Sequence, residues 1–199
     1  MSIPDETQCR ELMRRYEMLP NIVEHSYRVC QLALFLASAL NRNGASLDLE
    51  LVRAGSLLHD ITKTRSLGTE ERHAESGRDL LRGLGYPEVA EIVGGHVNPE
   101  EGDPTSPISE TDIVNYADKR VMHSQVVSLK ERFEDLEKRY GKTPEARKRL
   151  GRMRQAVLAL EKRIFSRLGI DPGLLEGFNR LSVYAPACLP GTETKRRSA

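Results

Sequence analysis

The tetrapeptide Leu57-Leu58-His59-Asp60 closes an apolar run that begins near Leu47, and it constrains this chain more than any other stretch. An imidazole and a carboxylate adjacent at the inner end of a buried helix diverge by only about 100° and can reach one cation together. Alone the pair proves little, because a buried imidazole is more often a hydrogen-bonded core residue. The other histidines give it weight. The sequence has five, His25, His59, His73, His96 and His123, and the first four each fall inside an apolar helical face. Such clustering needs a common reason.

Read in order, the chain is a series of amphipathic helices. Met1 to Leu19 carries Cys9, Leu12, Met13 and Tyr16 at helical spacing and is expected to stop at Pro20, with Asn21 capping a second helix over Ile22 to Leu40. There Val29, Leu32, Ala33, Leu36 and Leu40 share a face with His25, and Arg28 flanks it at the rim of a cleft. Ser46 or Asp48 caps the next helix, which runs to His59-Asp60; continued by one turn, it would overhang the same face with Lys63. Glu70 to Leu84 resumes the pattern with His73, and Gly77 leaves room for close approach. Pro87 opens a helix in which Val89, Ile92, Val93 and His96 form one stripe. Asn98 to Ser109, with three prolines, reads as a surface loop near the site.

Ser109-Glu110-Thr111-Asp112 fits a capping box, followed by a face of Val114, Asp118, Val121 and Met122. A carboxylate inside an apolar stripe is costly unless paired or metal-bound, so Asp118 joins the four histidines. Apolar residues then recur at 122, 126, 129, 133, 136 and 140, and again from Leu150 through Met153, Val157 and Leu160 to Ile164. This seam predicts an antiparallel hairpin with arms Asp118 to Tyr140 and Thr143 to Leu168, either packed on the core or projecting from it, and a homodimer using the hairpins as contact area. Asp171 to Tyr184 reads as one short helix and Leu189 to Ala199 as a disordered tail. No strand pattern of period two is evident. The fold class expected is all-α, a single domain with a helical core over 1–127, the hairpin over 128–170 and a tail over 171–199.

The 199 residues are 39% hydrophobic, enough for one core and too few for a second full domain. Lys and Arg number 30 against 29 Asp and Glu, so the overall balance argues against a nucleic-acid coat or a membrane-surface protein. No run reaches the roughly 20 apolar residues of a membrane helix. Cys9, Cys30 and Cys188 are odd in number and widely spaced, and Met1 to Arg15 lacks a signal-like apolar stretch. A cytoplasmic protein with reduced thiols is expected.

The inward polar set is thus His25, His59, Asp60, His73, His96 and Asp118. Imidazoles with carboxylates suit Fe, Mn, Co, Ni or Zn better than Mg or Ca. Six ligands exceed one tetrahedral site, and two ions sharing Asp60 as a bridge would use them all. His59-Asp60, the His25-Ser26 start, and Asp118 in Tyr116-Ala117-Asp118-Lys119 resemble the HD-domain metal-dependent phosphohydrolases over about Asn21 to Val127. His73-Ala74-Glu75-Ser76-Gly77 and Gly95-His96 are similar to the two histidines that dinuclear members of that family add. The order is also similar to the subgroup hydrolysing dinucleoside tetraphosphates, although the charged hairpin departs from it.

The resemblance implies an HD-type helical bundle that hydrolyses a phosphoester or phosphoanhydride of a nucleotide-type substrate by a metal-held hydroxide, with Asp60 central to catalysis. Lys63 is the first choice for holding a phosphate, ahead of Arg28, Arg65 and Lys119, each of which competes with the ordinary reading of a solvated charge. Neither nucleic acid nor membrane is expected as a partner. Two rivals are a mononuclear, nucleotidase-like hydrolase using His25, His59, Asp60 and Asp118, and a regulatory module that binds a nucleotide without cleaving it.

Overall fold

The computed structural model describes residues 3–97 and 106–182. Its spine is the helix Pro20–Arg42 (α2), whose length lets one element serve two apolar clusters. Ile22, Val23, Tyr27 and Cys30 pack with α1 (Glu6–Arg15), α3 (Leu49–Leu58), α5 (His73–Gly83) and α6 (Pro87–Gly95). Val29, Leu32, Ala33, Leu36 and Leu40 pack with α7 (Glu110–Arg120), α8 (Leu129–Tyr140) and α9 (Pro144–Leu168). Helices α3 and α6 also feed both clusters, through Val52 and Ile92 on one side and Leu57, Leu58 and Val93 on the other. Each fully buried Leu or Ile contributes about 1.5–3 kcal/mol of transfer free energy, so the clusters supply the main driving force.

Capping explains most boundaries. Asp48 accepts from the amides of Glu50 and Leu51 at the start of α3, and Ser109 with Asp112 completes the expected capping box of α7. Pro20 does not stop α1; it begins α2, since its missing N–H costs nothing at a first-turn position. The break before it is made by Glu17, at φ 52. Two glycines set interhelical distances: a Cβ on Gly55 would meet Ile92 at 2.7 Å, and one on Gly77 would meet Val93 at 2.8 Å. The short helix Lys63–Ser66 (α4) follows a turn at 59–62, so α3 does not continue through Lys63.

The hairpin differs from expectation in its first arm. Helix ends at Arg120, and Val121–Met122 (β1) pairs antiparallel with Gln125–Val126 (β2) before Ser128 caps α8 with Glu131. The spacing of 122, 126 and 129 matched a helix by coincidence, whereas the β-branched run Val121, Val126 and Val127 favours strand. Helices α8 and α9 fold back on each other and pack on the core: Phe133, Leu136, Val157, Leu160 and Ile164 are all buried in the cluster that contains α2 and α7. Tyr116 donates to Glu161 at 2.6 Å, and Arg120 reaches both, which ties α9 to α7 close to Asp118. Gly169, at φ 67, ends α9 in a left-handed cap, and a 3-10 segment, Pro172–Arg180, follows where a short helix was expected. The expected loop from Asn98 is non-helical over 106–109, and its residues 98–105, like the tail from 183, lie outside the described residues. No helix among the described residues is long and apolar enough to cross a membrane.

Candidate metal centre

Helix ends, more than helix faces, bring the site together. His59 is the C-cap of α3, with Asp60 next to it, and His96 is the C-cap of α6. His73 is the first residue of α5. His25 and Asp118 come from within α2 and α7. The four imidazoles stand in a row, with centroid separations of 5.4 Å (His25 to His59), 5.1 Å (His59 to His96) and 5.3 Å (His96 to His73).

Three of the rings are oriented by backbone carbonyls. Nδ1 of His59 donates to Ser56 O at 2.7 Å, and Nδ1 of His96 to Val93 O at 2.6 Å, each using a last-turn carbonyl that the helix leaves free. Nδ1 of His25 donates to His123 O at 2.8 Å. A carbonyl can only accept, so each Nδ1 carries hydrogen and each Nε2 turns inward. Such outer partners fix the tautomer of metal-ligating histidines. His73, less buried than the others, is held through its backbone: Thr62 Oγ1 donates to His73 O at 2.7 Å and receives Ser76 Oγ at 2.9 Å.

The inward atoms surround the two carboxylates. Asp118 Oδ1 lies 3.0 Å from His25 Nε2 and 3.7 Å from His59 Nε2. Asp60 turns Oδ2 to His59 Nε2 at 3.3 Å, and Oδ1 to His73 Nε2 at 3.3 Å and His96 Nε2 at 3.8 Å. Two tight groups of potential ligands result, His25 with His59 and Asp118, and His59 with Asp60 and His96. The buried atoms His59 Nε2 and Asp60 Oδ1 have no hydrogen-bond partner, a cost of about 1–3 kcal/mol each that a shared cation relieves. At 3.0 Å the His25 Nε2 lone pair and Asp118 Oδ1 likewise need a proton or a cation between them. The donor set fits divalent transition metals.

Charge inside the cluster is balanced by two lysines. Lys63 Nζ sits 2.6 Å from Asp60 Oδ2, and Lys119 Nζ sits 2.6 Å from Asp118 Oδ2 and 3.1 Å from His96 O. Burial pushes both carboxyls up, but His59 and Lys63 hold Asp60 well below the usual range, and Lys119 and His25 do the same for Asp118. Burial also pulls His59 down, yet Asp60 and Asp118 outweigh it and raise the ring. Burial, with the charge of His59, depresses His96 to about 3, and burial depresses His73 as well. Those two rings stay neutral and ligand-ready at ordinary pH.

Of the cations named from sequence, the structure brings only Lys63 and Lys119 to the cluster. Arg28 is buried, and its guanidinium is committed to Ser124 O, Gln31, Phe178 O and Leu181 O. Arg65 is exposed and paired with Glu71. Sequence reasoning missed Asn115, which donates to His96 O at 2.7 Å, as well as Thr62 and the His123 carbonyl. A polar residue three before Asp118 was a readable signal for Asn115; a backbone carbonyl offers none.

The HD domain family model matches residues 22–140. An uncharacterised protein of Methanocaldococcus jannaschii is 36% identical over 143 residues, 65% of this chain and 83% of that protein. A tRNA (cytidine(56)-2'-O)-methyltransferase of Thermoplasma volcanium is 38% identical over 96 residues, 48% of this chain but 26% of that protein. Ribonuclease Y of Treponema denticola is 35% identical over 99 residues, 49% of this chain and 18% of that protein. No solved structure matches significantly. The ordered histidine and aspartate cluster and the match over most of the helical core agree, and the chain belongs to the HD-domain family.

Proposed function

We propose that this protein is a metal-dependent phosphohydrolase that cleaves a phosphoester or phosphoanhydride of a nucleotide-type substrate at a dinuclear centre. The observation that carries the reading is the division of the Asp60 carboxylate, one oxygen toward His59 and the other toward His73 and His96. His25, His59, Asp118 and Asp60 would hold one ion, and Asp60, His73 and His96 a second. A divalent pair supplies a water acidified towards neutrality and positive charge against the phosphate oxygens. The protein does the rest. Backbone carbonyls aim His25, His59 and His96, and Lys119 keeps Asp118 ionised and anchors the end of α6 through His96 O. Lys63, at the open side, exchanges Asp60 for a substrate phosphate oxygen.

A phosphodiester within RNA is a second reading, favoured by the match to Ribonuclease Y. The test is to strip the full chain of metal, reload it with Mn, Fe, Co, Ni or Zn, count bound ions, and measure cleavage of nucleotides, dinucleoside tetraphosphates and short RNA. Near two ions per chain with nucleotide cleavage is expected. One ion under saturating metal leaves the mononuclear rival, cleavage confined to RNA leaves the second reading, and nucleotide binding without turnover leaves the regulatory module.

A further inference from the structure

Beyond the end of the family match at residue 140, the chain returns through its 3-10 segment, Pro172–Arg180, to α2 and the β1–β2 hairpin, which carry His25 and the carbonyl that orients it. We propose that residues 171–182 form a positioning strap for His25, with Asn179 and Arg28 as its two anchors; this deepens the metal-centre reading and rests on it.

His25 owes its orientation to the carbonyl of His123, which lies in the two-residue turn between β1 and β2. His123 is at φ 57, a left-handed conformation uncommon in residues other than glycine, and its surroundings hold it there. Enforcement comes from two sides. The Asn179 side chain accepts from Val126 N at 2.7 Å and donates to Val126 O at 2.8 Å, gripping β2 as a neighbouring strand would. Arg28, one turn after His25 on α2, donates Nε to Ser124 O at 2.9 Å. Its other nitrogens donate to Phe178 O at 3.0 Å and Leu181 O at 2.9 Å, on either side of Asn179. The Phe178 ring also packs on Phe35 of α2 with centroids 5.0 Å apart.

The connections close a loop from α2 to the turn, to β2, to the strap and back to α2. A guanidinium buried at one apex with its donors spread over the turn and the strap is a rigid fork that lysine cannot replace. Loosening the strap frees the turn, and the His123 carbonyl then no longer dictates which nitrogen of His25 faces inward. Asn179 and Arg28 touch no reacting atom; both act through His25.

The experiment uses the full chain with Asn179→Ala, Arg28→Lys and, as a core control, Leu150→Ala. Two readouts are taken: Co(II) affinity by competition with a chelator, and the side-chain 15N signature of His25 in the metal-free protein. Asn179→Ala and Arg28→Lys should each weaken Co(II) binding about tenfold and lose the single Nδ1–H signature. Leu150→Ala, with a similar fall in melting temperature, should move neither. Both readouts unchanged in Asn179→Ala, or moved equally by Leu150→Ala, overturns the proposal. If Asn179→Ala does not fold, Asn179→Asp, which keeps the acceptor for Val126 N but turns a carboxylate oxygen against Val126 O, gives the same readouts. Failure of the wild-type chain to bind Co(II) would count against the metal-centre reading, while the 15N signature would still decide the strap.

Discussion

Asp60→Asn separates the role of the central carboxylate in folding from its role in chemistry. The side chain is 1% exposed, with Lys63 Nζ at 2.6 Å on Oδ2 and His73 Nε2 at 3.3 Å on Oδ1. Asparagine keeps the shape, loses the charge and offers one oxygen instead of two, so one set of histidines faces an NH2 donor. In the metal-free protein the main loss is the Lys63 pair. Breaking a buried pair costs about 3–5 kcal/mol, but the Lys63 side chain is 35% exposed and can turn to water, which reduces the expected cost to about 1 kcal/mol. For a chain of this length that lowers the melting temperature by about 2–4 °C. Activity should fall far more. Metal stabilisation of a phosphoryl transition state is worth several kcal/mol, and a loss of about 4 kcal/mol slows turnover about a thousandfold. The assay pairs phosphate release with bound-metal analysis and a thermal melt. Turnover within tenfold of wild type, with two ions still bound, would refute the bridging role of Asp60.

Other expectations follow from the same geometry. Lys63→Ala should raise KM or lower kcat with metal content intact, and unchanged kinetics on the true substrate would remove Lys63 from the site. Because His73 and His96 are depressed below 6.5, the unfolded chain binds more protons below that value, and their contribution to stability, complete above 6.5, shrinks as the pH falls. The raised His59 has the opposite sign, but its contribution is already complete below 6.5; the melting temperature of the metal-free protein should therefore drop between about pH 6.5 and 4, and a flat profile contradicts this. Leu136→Glu places a charge in the α8–α9 seam and should cost about 2–3 kcal/mol by thermal or urea melts. Sedimentation of the wild type at high concentration tests the proposed dimer, which a strict monomer excludes.

The helical core was legible because its signals are local: the Ser109 capping box, which marked the start of α7, proline at the head of α6, and apolar spacing that gave α2 and α6 within a few residues. Proximity of the inward residues was legible too, since His25, His59, Asp60, His96 and Asp118 are buried and convergent. Their placement on the elements was partly legible. His59 and His96 close α3 and α6, as a pair at the inner end of a helix and the last member of a stripe suggest, but His73 opens α5, where its spacing within Glu70 to Leu84 read as mid-face. Arg28 looked like a cleft cation because it follows His25 by one turn; the partners that claim it lie at 124, 178 and 181, too distant in sequence to be read locally. The β1–β2 turn was hidden because three apolar residues spaced four and three apart satisfy a helix as well as a strand followed by a new cap.

The charges of the cluster argue for an anionic substrate on grounds separate from family. In the metal-free chain each carboxylate has its own ammonium at 2.6 Å, so the site is close to self-neutralised. The two lysines differ in freedom. Lys119 is buried and also held by His96 O, so its side chain is fixed in place. Lys63 is partly open to solvent and held by Asp60 alone. Adding a divalent pair to carboxylates that are already neutralised would leave a positive excess among buried side chains, where uncompensated charge is expensive. Hydroxide and several phosphate oxygens offset that excess, and a neutral substrate does not. Were Asp60 to hold a cation, the Lys63 ammonium beside it would have an oxyanion as its least costly partner. A polyphosphate satisfies more of these charges at once than a single ester, so affinity should rise with the number of phosphates near the scissile bond; a nucleoside monophosphate that binds as tightly as its di- and triphosphate would contradict this account.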